Sequence, residues 1–367
     1  MEKKVRFNES IAAEVFTVLD RYYREKKGVL ISAGLPEDNY PPKEANLSEK
    51  EIVDFFFYTA LTMRGGMVSD SPFKLLWSLR EKNPGMFNPE IVIAHWSMEK
   101  IRKTFTETGF LYKNWEIPKC WYQNSVNLCQ WWGGDVRNVF KYGVSEFEEA
   151  FRRIDYEKSK VGFYGMRRKI FSLLTIWLQE KGLIPIFPTP IPVDFHAMRI
   201  LWATEIVDAG KLARPFTPKP QHPEQIRGKT AISINFTGTG FPDQIAIWSQ
   251  KFLQKIDISH MTINPILWIL SRSLCAGQFQ NITKDDAKTY VETDDLQKNS
   301  NLWPKNYQDP CHVCPIEKWC KWSIPAAPYY RWGLLLKIGK RVSYPQKYLA
   351  GFENINHKHR KKNRGAN

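Results

Sequence analysis

The sequence predicts an all-α protein. Apolar residues recur at every third or fourth position through most of the chain, whereas the strict alternation of a half-buried strand is scarce. Glycine and proline separate the periodic segments, as at Gly133-Gly134 and in the proline-rich stretch 185–192. A chain of 367 residues is long enough for about two domains of roughly 100–200 residues each.

The predicted helices follow from this periodicity. In chain order they cover residues 49–63, 73–81, 89–106, 114–132, 145–154, 165–181, 196–211, 241–256 and 264–274. Two stretches, 214–242 and 276–310, look irregular, because they are rich in proline, glycine or polar residues. Both are too long for plain connections, so we interpret them as functional loops or as insertions with some structure of their own. The basic tail 357–367 has no apolar content, and we expect it to be disordered.

The charge of the chain favours a polyanionic partner. Its 53 basic and 38 acidic residues give a formal charge of +15, which makes nucleic acid the first candidate, with a merely basic soluble protein as the alternative. The N-terminus is charged, and the longest apolar run, near residues 170–178, is too short to cross a bilayer. We therefore expect a cytoplasmic protein that makes no membrane contact and keeps its thiols reduced.

A cysteine cluster lies in the stretch DPCHVCPIEKWCKW, residues 309–322. Its three members are Cys311, Cys314 and Cys320. A [4Fe–4S] cluster needs a fourth thiolate, and Cys275, which follows the predicted helix 264–274, is the best candidate. Zinc held by the three cysteines and His312 is the competing chemistry, and ordinary buried thiols are the third interpretation.

A helix that ends in cysteine and is followed by Cys-x2-Cys-x5-Cys resembles the cluster loop of endonuclease III. That enzyme belongs to the iron–sulfur branch of the helix-hairpin-helix DNA glycosylases. The spacing differs, since 35 residues separate Cys275 from Cys311, far more than in the family. The resemblance implies a [4Fe–4S] cluster on Cys275, Cys311, Cys314 and Cys320.

A second motif, PVDFHAMRI, strengthens the resemblance. Val193, Asp194, His196 and Arg199 match the family's Val-Asp-x-His followed by arginine three residues later. The resemblance implies that Asp194 is the catalytic carboxylate and that His196 and Arg199 support it. A fixed carboxylate would stabilise the positive charge that develops on the sugar when an N-glycosidic bond breaks. The alternative for Asp194 is an ordinary helix N-cap.

The segment before this motif resembles the family's hairpin. The family's second hairpin glycine is replaced by Arg167, although Gly162 and Gly165 offer another turn near residues 162–169. A tight glycine turn at a helix start suits a DNA phosphate, so Gly165, Arg167 and Arg168 are predicted to bind the backbone. Lys169 falls where bifunctional members carry their Schiff-base lysine, and a lysine reaching to solvent is the alternative.

The resemblance covers roughly residues 51–322. It implies a six-helix domain (50–190) and a cluster domain formed by residues 1–49 and 191–356, with an extruded nucleotide in the cleft between them. Arg64 is the predicted side chain that fills the gap in the duplex, and Lys318 and Lys321 are predicted DNA contacts. The expected protein is a monomeric DNA N-glycosylase acting on double-stranded DNA with a modified base, in repair or in defence against phages. A non-catalytic iron–sulfur protein that binds nucleic acid is the alternative.

Overall fold

The computed structural model describes most of the chain. It covers residues 5–26, 30, 34–63, 70–110, 113, 115–141, 143–156, 161–208, 210, 213–216, 231–234, 240–271, 314–320, 335–338 and 341–342. These residues are mostly helical, which confirms the predicted class. No helix among them has the length and apolar character needed to cross a membrane.

The α-helices are numbered here in chain order. They are α1 (Glu9–Arg24), α2 (Glu49–Thr62), α3 (Asp70–Lys82), α4 (Pro89–His95), α5 (Met98–Glu107), α6 (Glu116–Trp132), α7 (Phe147–Ile154), α8 (Arg168–Glu180), α9 (Phe195–Ala203), α10 (Phe241–Lys255) and α11 (His260–Ile269). Short 3-10 turns lie at Pro36–Asp38, Lys43–Ala45, Pro84–Phe87, Val136–Phe140 and Glu317–Trp319.

Local capping chemistry sets several helix ends. Ser48 and Glu51 form a capping box at the start of α2, with the Ser48 N–H donating to the Glu51 carboxylate at 3.0 Å. Gly133 ends α6 in the left-handed conformation at φ 58°. The single predicted helix 89–106 was wrong, because Ser97 caps a new helix and splits the segment into α4 and α5.

Strands are present in addition to the helices. β1 (Arg6–Phe7) pairs antiparallel with β2 (Val207–Asp208), so the predicted helix 196–211 ends early, at Ala203. A four-stranded sheet has the order β3 (Ala213–Phe216), β4 (Ala231–Ile234), β5 (Leu335–Ile338), β6 (Arg341–Val342), with β4 and β5 parallel. The segment 214–242, interpreted as a functional loop or as an insertion with some structure of its own, contributes β4 and most of β3.

Two clusters of buried apolar side chains hold the described residues together. The first core is drawn from residues 53–187 and is rich in aromatic rings. Within it, the Trp121 ring stacks on Tyr58 with 4.3 Å between centroids, and the Trp121 Nε1–H donates to the Met86 carbonyl at 2.8 Å. Phe163 joins this core beside Phe57, with 5.0 Å between ring centroids.

The second core is mostly aliphatic and is assembled from separated segments. It takes Val15 and Phe16 from α1, a long set from residues 191–270, and Ile316 from the cysteine segment. The Trp319 Nε1–H donates to the Glu14 carboxylate at 3.0 Å, which joins residues 305 positions apart. The domain boundaries predicted from the sequence stay predictions.

Polar side chains of α8 connect elements of the two cores. Gln179 donates through Nε2 to the Phe187 carbonyl at 2.9 Å, and its Oε1 lies 2.8 Å from the His260 Nε2. Because the Gln179 amide nitrogen is used by that carbonyl, the imidazole Nε2 is the donor to Oε1. Burial lowers the pKa of His260 to about 4, so this imidazole is neutral near pH 7.

Candidate active site and hairpin

Asp194 lies at the start of α9, after the extended, buried residues 190–193. Its Oδ1 accepts from the backbone N–H groups of His196 at 2.8 Å and Ala197 at 3.0 Å. Among the residues that the structure describes, none donates a hydrogen bond to Oδ2. The carboxylate is therefore a helix cap on one oxygen and remains available on the other, so the capping and catalytic interpretations are compatible.

His196 and Arg199 connect the Asp194 helix to the end of α11. The His196 Nδ1 lies 3.1 Å from the Ser271 hydroxyl, and Arg199 Nη1 donates to the Ser271 carbonyl at 3.1 Å. Both side chains are at most 5% exposed. These hydrogen bonds hold the helix that begins at Asp194. Ser271 stands four residues before Cys275, which lies outside the described residues.

The predicted hairpin is a tight turn between α7 and α8. The Met166 N–H donates to the Phe163 carbonyl at 3.1 Å, and Gly165 occupies the third position of this turn at φ 72°, a conformation that favours glycine. A Cβ on Gly162 would come within 2.0 Å of the Ile154 carbonyl oxygen, so this position also requires glycine. Arg167 has extended backbone angles, φ −85° and ψ 172°, and therefore causes no strain where the family has glycine.

Two asparagines of α6 hold the turn from behind. Asn124 accepts from the Tyr164 N–H at 2.6 Å and donates to the Tyr164 carbonyl at 3.0 Å. Asn127 donates to the Gly162 carbonyl at 2.5 Å. The hairpin backbone is thus bound on its inner side by buried amides contributed by a helix about 40 residues earlier in the chain.

The three cations that follow the turn have different environments. Arg167 is exposed at the start of α8. Arg168 is 9% exposed and forms a two-pronged ion pair with Glu148, with Nη2 to Oε2 at 3.0 Å, so a phosphate contact by Arg168 would require this pair to open. Lys169 is partly buried in the first turn of α8, and no ion pair joins it to Asp194.

Asp243 is a residue of this region that sequence reasoning missed. It lies in the first turn of α10, where partial burial raises the pKa of its carboxyl while the nearby Arg168 and Arg167 lower it. The run Gly-Phe-Pro-Asp signals only a helix start. Its position beside the hairpin arginines depends on tertiary packing across 75 residues and has no signal in local spacing.

The cysteine segment is described in part. Cys314 and Cys320 flank the 3-10 turn Glu317–Trp319 and pack against the second core, whereas Cys275 and Cys311 lie outside the described residues. The described residues alone contain no group of three or more metal-binding side chains. Two thiols on either side of one short turn fit the thiolate chemistry of a cysteine-ligated metal, and the full ligand set stays a prediction.

Of the remaining predicted DNA contacts, the structure describes Lys318 only. Lys318 lies on the 3-10 turn, with its ammonium 3.9 Å from the centroid of the Trp319 ring. Arg64 and Lys321 lie outside the described residues, as do segment 276–310 and the tail 357–367. These contacts stay predictions.

A separate cavity of about 500 Å³ lies beside the connection from α8 to α9. It is lined by residues 186–189, by α10 and by the start of α11, and Asp194 does not contribute to it. The Gln250 amide donates to the Pro188 carbonyl at 2.8 Å across its edge. The cavity therefore belongs to the junction between the cores and is distinct from the Asp194 carboxylate.

Comparison with known protein families and curated proteins finds no match, since no family model matches the chain and no curated protein matches it significantly. Function must therefore be inferred from the residues themselves.

Proposed function

We propose that the protein is a DNA N-glycosylase that extrudes a modified base from double-stranded DNA and breaks the bond between that base and its sugar. The observation that supports this function best is the Asp194 carboxylate, with Oδ1 fixed by two backbone N–H groups and Oδ2 open among the described residues. A carboxylate held in this way can face a developing positive charge without first reorganising.

In the proposed reaction, the bond between the base nitrogen and C1′ breaks, and its electron pair leaves with the base. The sugar gains oxocarbenium character, which the Asp194 carboxylate stabilises. Water then adds to C1′ and gives a proton to Asp194, and this proton passes through solvent to the departing base anion, so the carboxylate is restored and the products are a neutral free base and an abasic sugar. Because C1′ chemistry is not reachable inside a stacked duplex, the proposal includes two helical domains with a cleft for the extruded nucleotide.

Lys169 is the proposed alternative nucleophile. Attack of its neutral amine on C1′ would displace the base and lead, after ring opening, to a Schiff base that promotes strand cleavage. Its partly buried position in the first turn of α8, directly after the hairpin, supports this role. The water route and the lysine route differ in whether a covalent DNA adduct forms.

A [4Fe–4S] cluster is proposed as a structural group, held by Cys275, Cys311, Cys314 and Cys320. Bound there, it would fix the cysteine segment against the second core, because Ile316 between the ligands is buried in that core. We expect protein purified without air to be brown, to contain about four iron atoms per chain and to absorb broadly in the visible range. A colourless protein carrying zinc would instead support the alternative site with His312.

The decisive experiment compares the wild type with Asp194→Asn on duplexes that each contain one modified base. Asparagine caps a helix as well as aspartate does, so this variant removes the charge and retains the backbone hydrogen bonds. We expect base release to fall about 10²–10³-fold, the size found when one electrostatic donor is lost, with an unchanged melting temperature. Asp208→Asn, an exposed change in β2, is the control of matched charge.

Two outcomes would contradict this proposal. Wild-type protein that releases no base from any duplex, including those with glucosylated cytosine, would leave the enzyme without a substrate class. Asp194→Asn with full activity would remove the carboxylate from the reaction. On the same duplexes, a borohydride-trapped adduct that survives Lys169→Ala would exclude that lysine as the nucleophile.

The duplex panel also separates repair from defence. Release of oxidised, alkylated or mismatched bases would indicate repair, and release of bulky modified bases such as those in phage DNA would indicate defence. The second candidate function, a non-catalytic protein that binds nucleic acid, is favoured by the net charge of +15. Tight binding to duplex DNA without base release is the result that this alternative predicts.

A further inference from the structure

Helix α6 carries a polar stripe on one face. The stripe consists of Lys119, Gln123, Asn124 and Asn127, whose spacing places them on the same side of a helix. The opposite side of α6 is buried in the first core through residues such as Trp121 and Leu128. The stripe faces the hairpin turn, as the hydrogen bonds from Asn124 and Asn127 to that turn demonstrate.

The amides in this stripe restrict the turn to one arrangement. The Gln123 Nε2 donates to the Asn127 Oδ1 at 3.0 Å, which directs the Asn127 amide nitrogen towards the Gly162 carbonyl. Asn124 is fully buried and satisfies both backbone groups of Tyr164. A shift of the turn would leave buried polar groups unpaired, which is unfavourable away from water. The turn is therefore preorganised by α6.

Lys119 places its positive charge beside this turn. Its ammonium lies 4.8 Å from the centroid of the Tyr164 ring, a cation–π distance, and the Tyr164 ring also meets Tyr156 edge-on at 5.6 Å. Lys119 is exposed, and among the described residues no carboxylate forms an ion pair with it. The exposed Arg167 follows the same turn, three residues after Tyr164. Two cations that face solvent thus flank one fixed loop.

We propose that Lys119 contacts a phosphate of double-stranded DNA and that Asn124 is the positioning residue that sets the turn for this contact. The choice of double-stranded DNA as the partner rests on the proposed function, whereas the contact between Lys119 and a phosphate does not require that a base be excised. A lysine ammonium is a point charge that meets phosphate oxygens without reading sequence. The contact therefore belongs to binding of any duplex, damaged or undamaged.

The first test measures binding of an undamaged duplex across a series of salt concentrations. Lys119→Ala should weaken binding roughly three- to tenfold and lower the slope of log affinity against log salt by about 0.9, the value for one lost phosphate contact. Lys119→Arg should restore both. Lys103→Ala is the control, because Lys103 is 78% exposed on neighbouring α5 and already has Glu107 beside it at 3.8 Å. Equal slopes for Lys119→Ala and the wild type would overturn the proposal.

The second test is a double-mutant cycle with Asn124. Asn124→Ala should weaken binding about tenfold, and in that background Lys119→Ala should cost less than twofold, because the lysine no longer has its fixed turn. The Asn124→Asp carboxylate still accepts from the Tyr164 N–H but cannot donate to the Tyr164 carbonyl. This variant replaces Asn124→Ala in the double-mutant cycle if the alanine variant does not fold. Additive effects of the two substitutions would refute the positioning role.

These tests separate the two proposals. Suppose that no duplex releases a base, but that the slope of log affinity against log salt falls for Lys119→Ala and not for Lys103→Ala. The phosphate contact then stands and the glycosylase proposal fails. If bases are released while the slope is unchanged, the glycosylase proposal stands and the Lys119 contact is wrong.

Discussion

The two cores of this protein are built in opposite ways. The first is drawn from a continuous stretch, residues 53–187, and its aromatic rings meet neighbours from the same stretch. The second takes α1 from one end of the chain and Ile316 from near the other, and it closes around residues 191–270. One core is therefore local in sequence, and the other is closed by contacts across about 300 residues.

The two candidate functional groups, the hairpin and Asp194, are supported by different cores. The hairpin rests on the local core through Phe163 and the asparagines of α6. Asp194 rests on the distributed core, because its helix is held by contacts from His196 and Arg199 to Ser271. The proposed DNA binding should thus depend on local folding, whereas the proposed catalytic carboxylate should depend on segments that are distant in sequence.

The largest expected effect comes from Trp121→Ala in the first core. The ring is fully buried, and its removal leaves a cavity and an unpaired Met86 carbonyl. We expect a loss of about 3–5 kcal/mol in the free energy of unfolding. Hydrogen exchange followed by mass spectrometry should be faster in α2, α5 and α6, which all lie within residues 49–132, and unchanged in α9 and α11.

Ile316→Ala is the counterpart in the second core. Ile316 is 2% exposed, and its truncation should cost about 2–4 kcal/mol. Exchange should become faster in α1, α9 and α11 together, although these helices are far apart in sequence. A uniform increase for both variants would show that the two cores unfold as one unit, and the comparison would fail.

A smaller effect is expected from the acid cluster formed by Glu37 and Asp38 of the 3-10 turn Pro36–Asp38 and by Glu180 at the end of α8. Burial and the nearby Glu37 and Asp38 raise the pKa of Glu180 to about 8, and burial raises that of Glu37 to about 7. Native protein thus binds these protons more tightly than unfolded protein does. The contribution is present below the usual pKa of 4.5 and is lost as the pH rises through about 7–8.

Glu180→Gln should therefore flatten the loss of stability between about pH 4.5 and about pH 8, by on the order of 1–3 kcal/mol. Urea unfolding at several pH values measures this difference. Glu81→Gln, an exposed change in α3, is the control and should leave the pH dependence as in the wild type. A steeper alkaline loss in Glu180→Gln would contradict the assignment of the cluster.

Much of the fold could be predicted from local pattern. The Ser48 and Glu51 capping box and the glycine after Trp132 are visible in the sequence, and α2 and α6 match their predicted extents within two residues. The break at Ser97 was missed because apolar periodicity continues across it. Helix α1 was also missed, and the strands of segment 214–242 could not be located within it because proline and glycine interrupt the alternating pattern.

The candidate site was predictable only in its local parts. The position of Asp194 at a helix start and the alternative turn through Gly162 and Gly165 follow from neighbouring residues. The hydrogen bonds from the Asn124 side chain to the Tyr164 backbone join residues 40 positions apart, and the approach of Asp243 to the hairpin joins residues still farther apart in sequence. No periodicity or spacing encodes such contacts, because they arise only when separate helices pack.

The bond between Glu14 and Trp319 has a consequence for biosynthesis. During translation α1 leaves the ribosome first, but the segment that completes its packing follows about 300 residues later. The first core can condense as soon as its own stretch has emerged, because domains fold from the N-terminal side as they are made. The apolar side of α1, with Val15 and Phe16, therefore stays exposed until residues 191–270 have been synthesised.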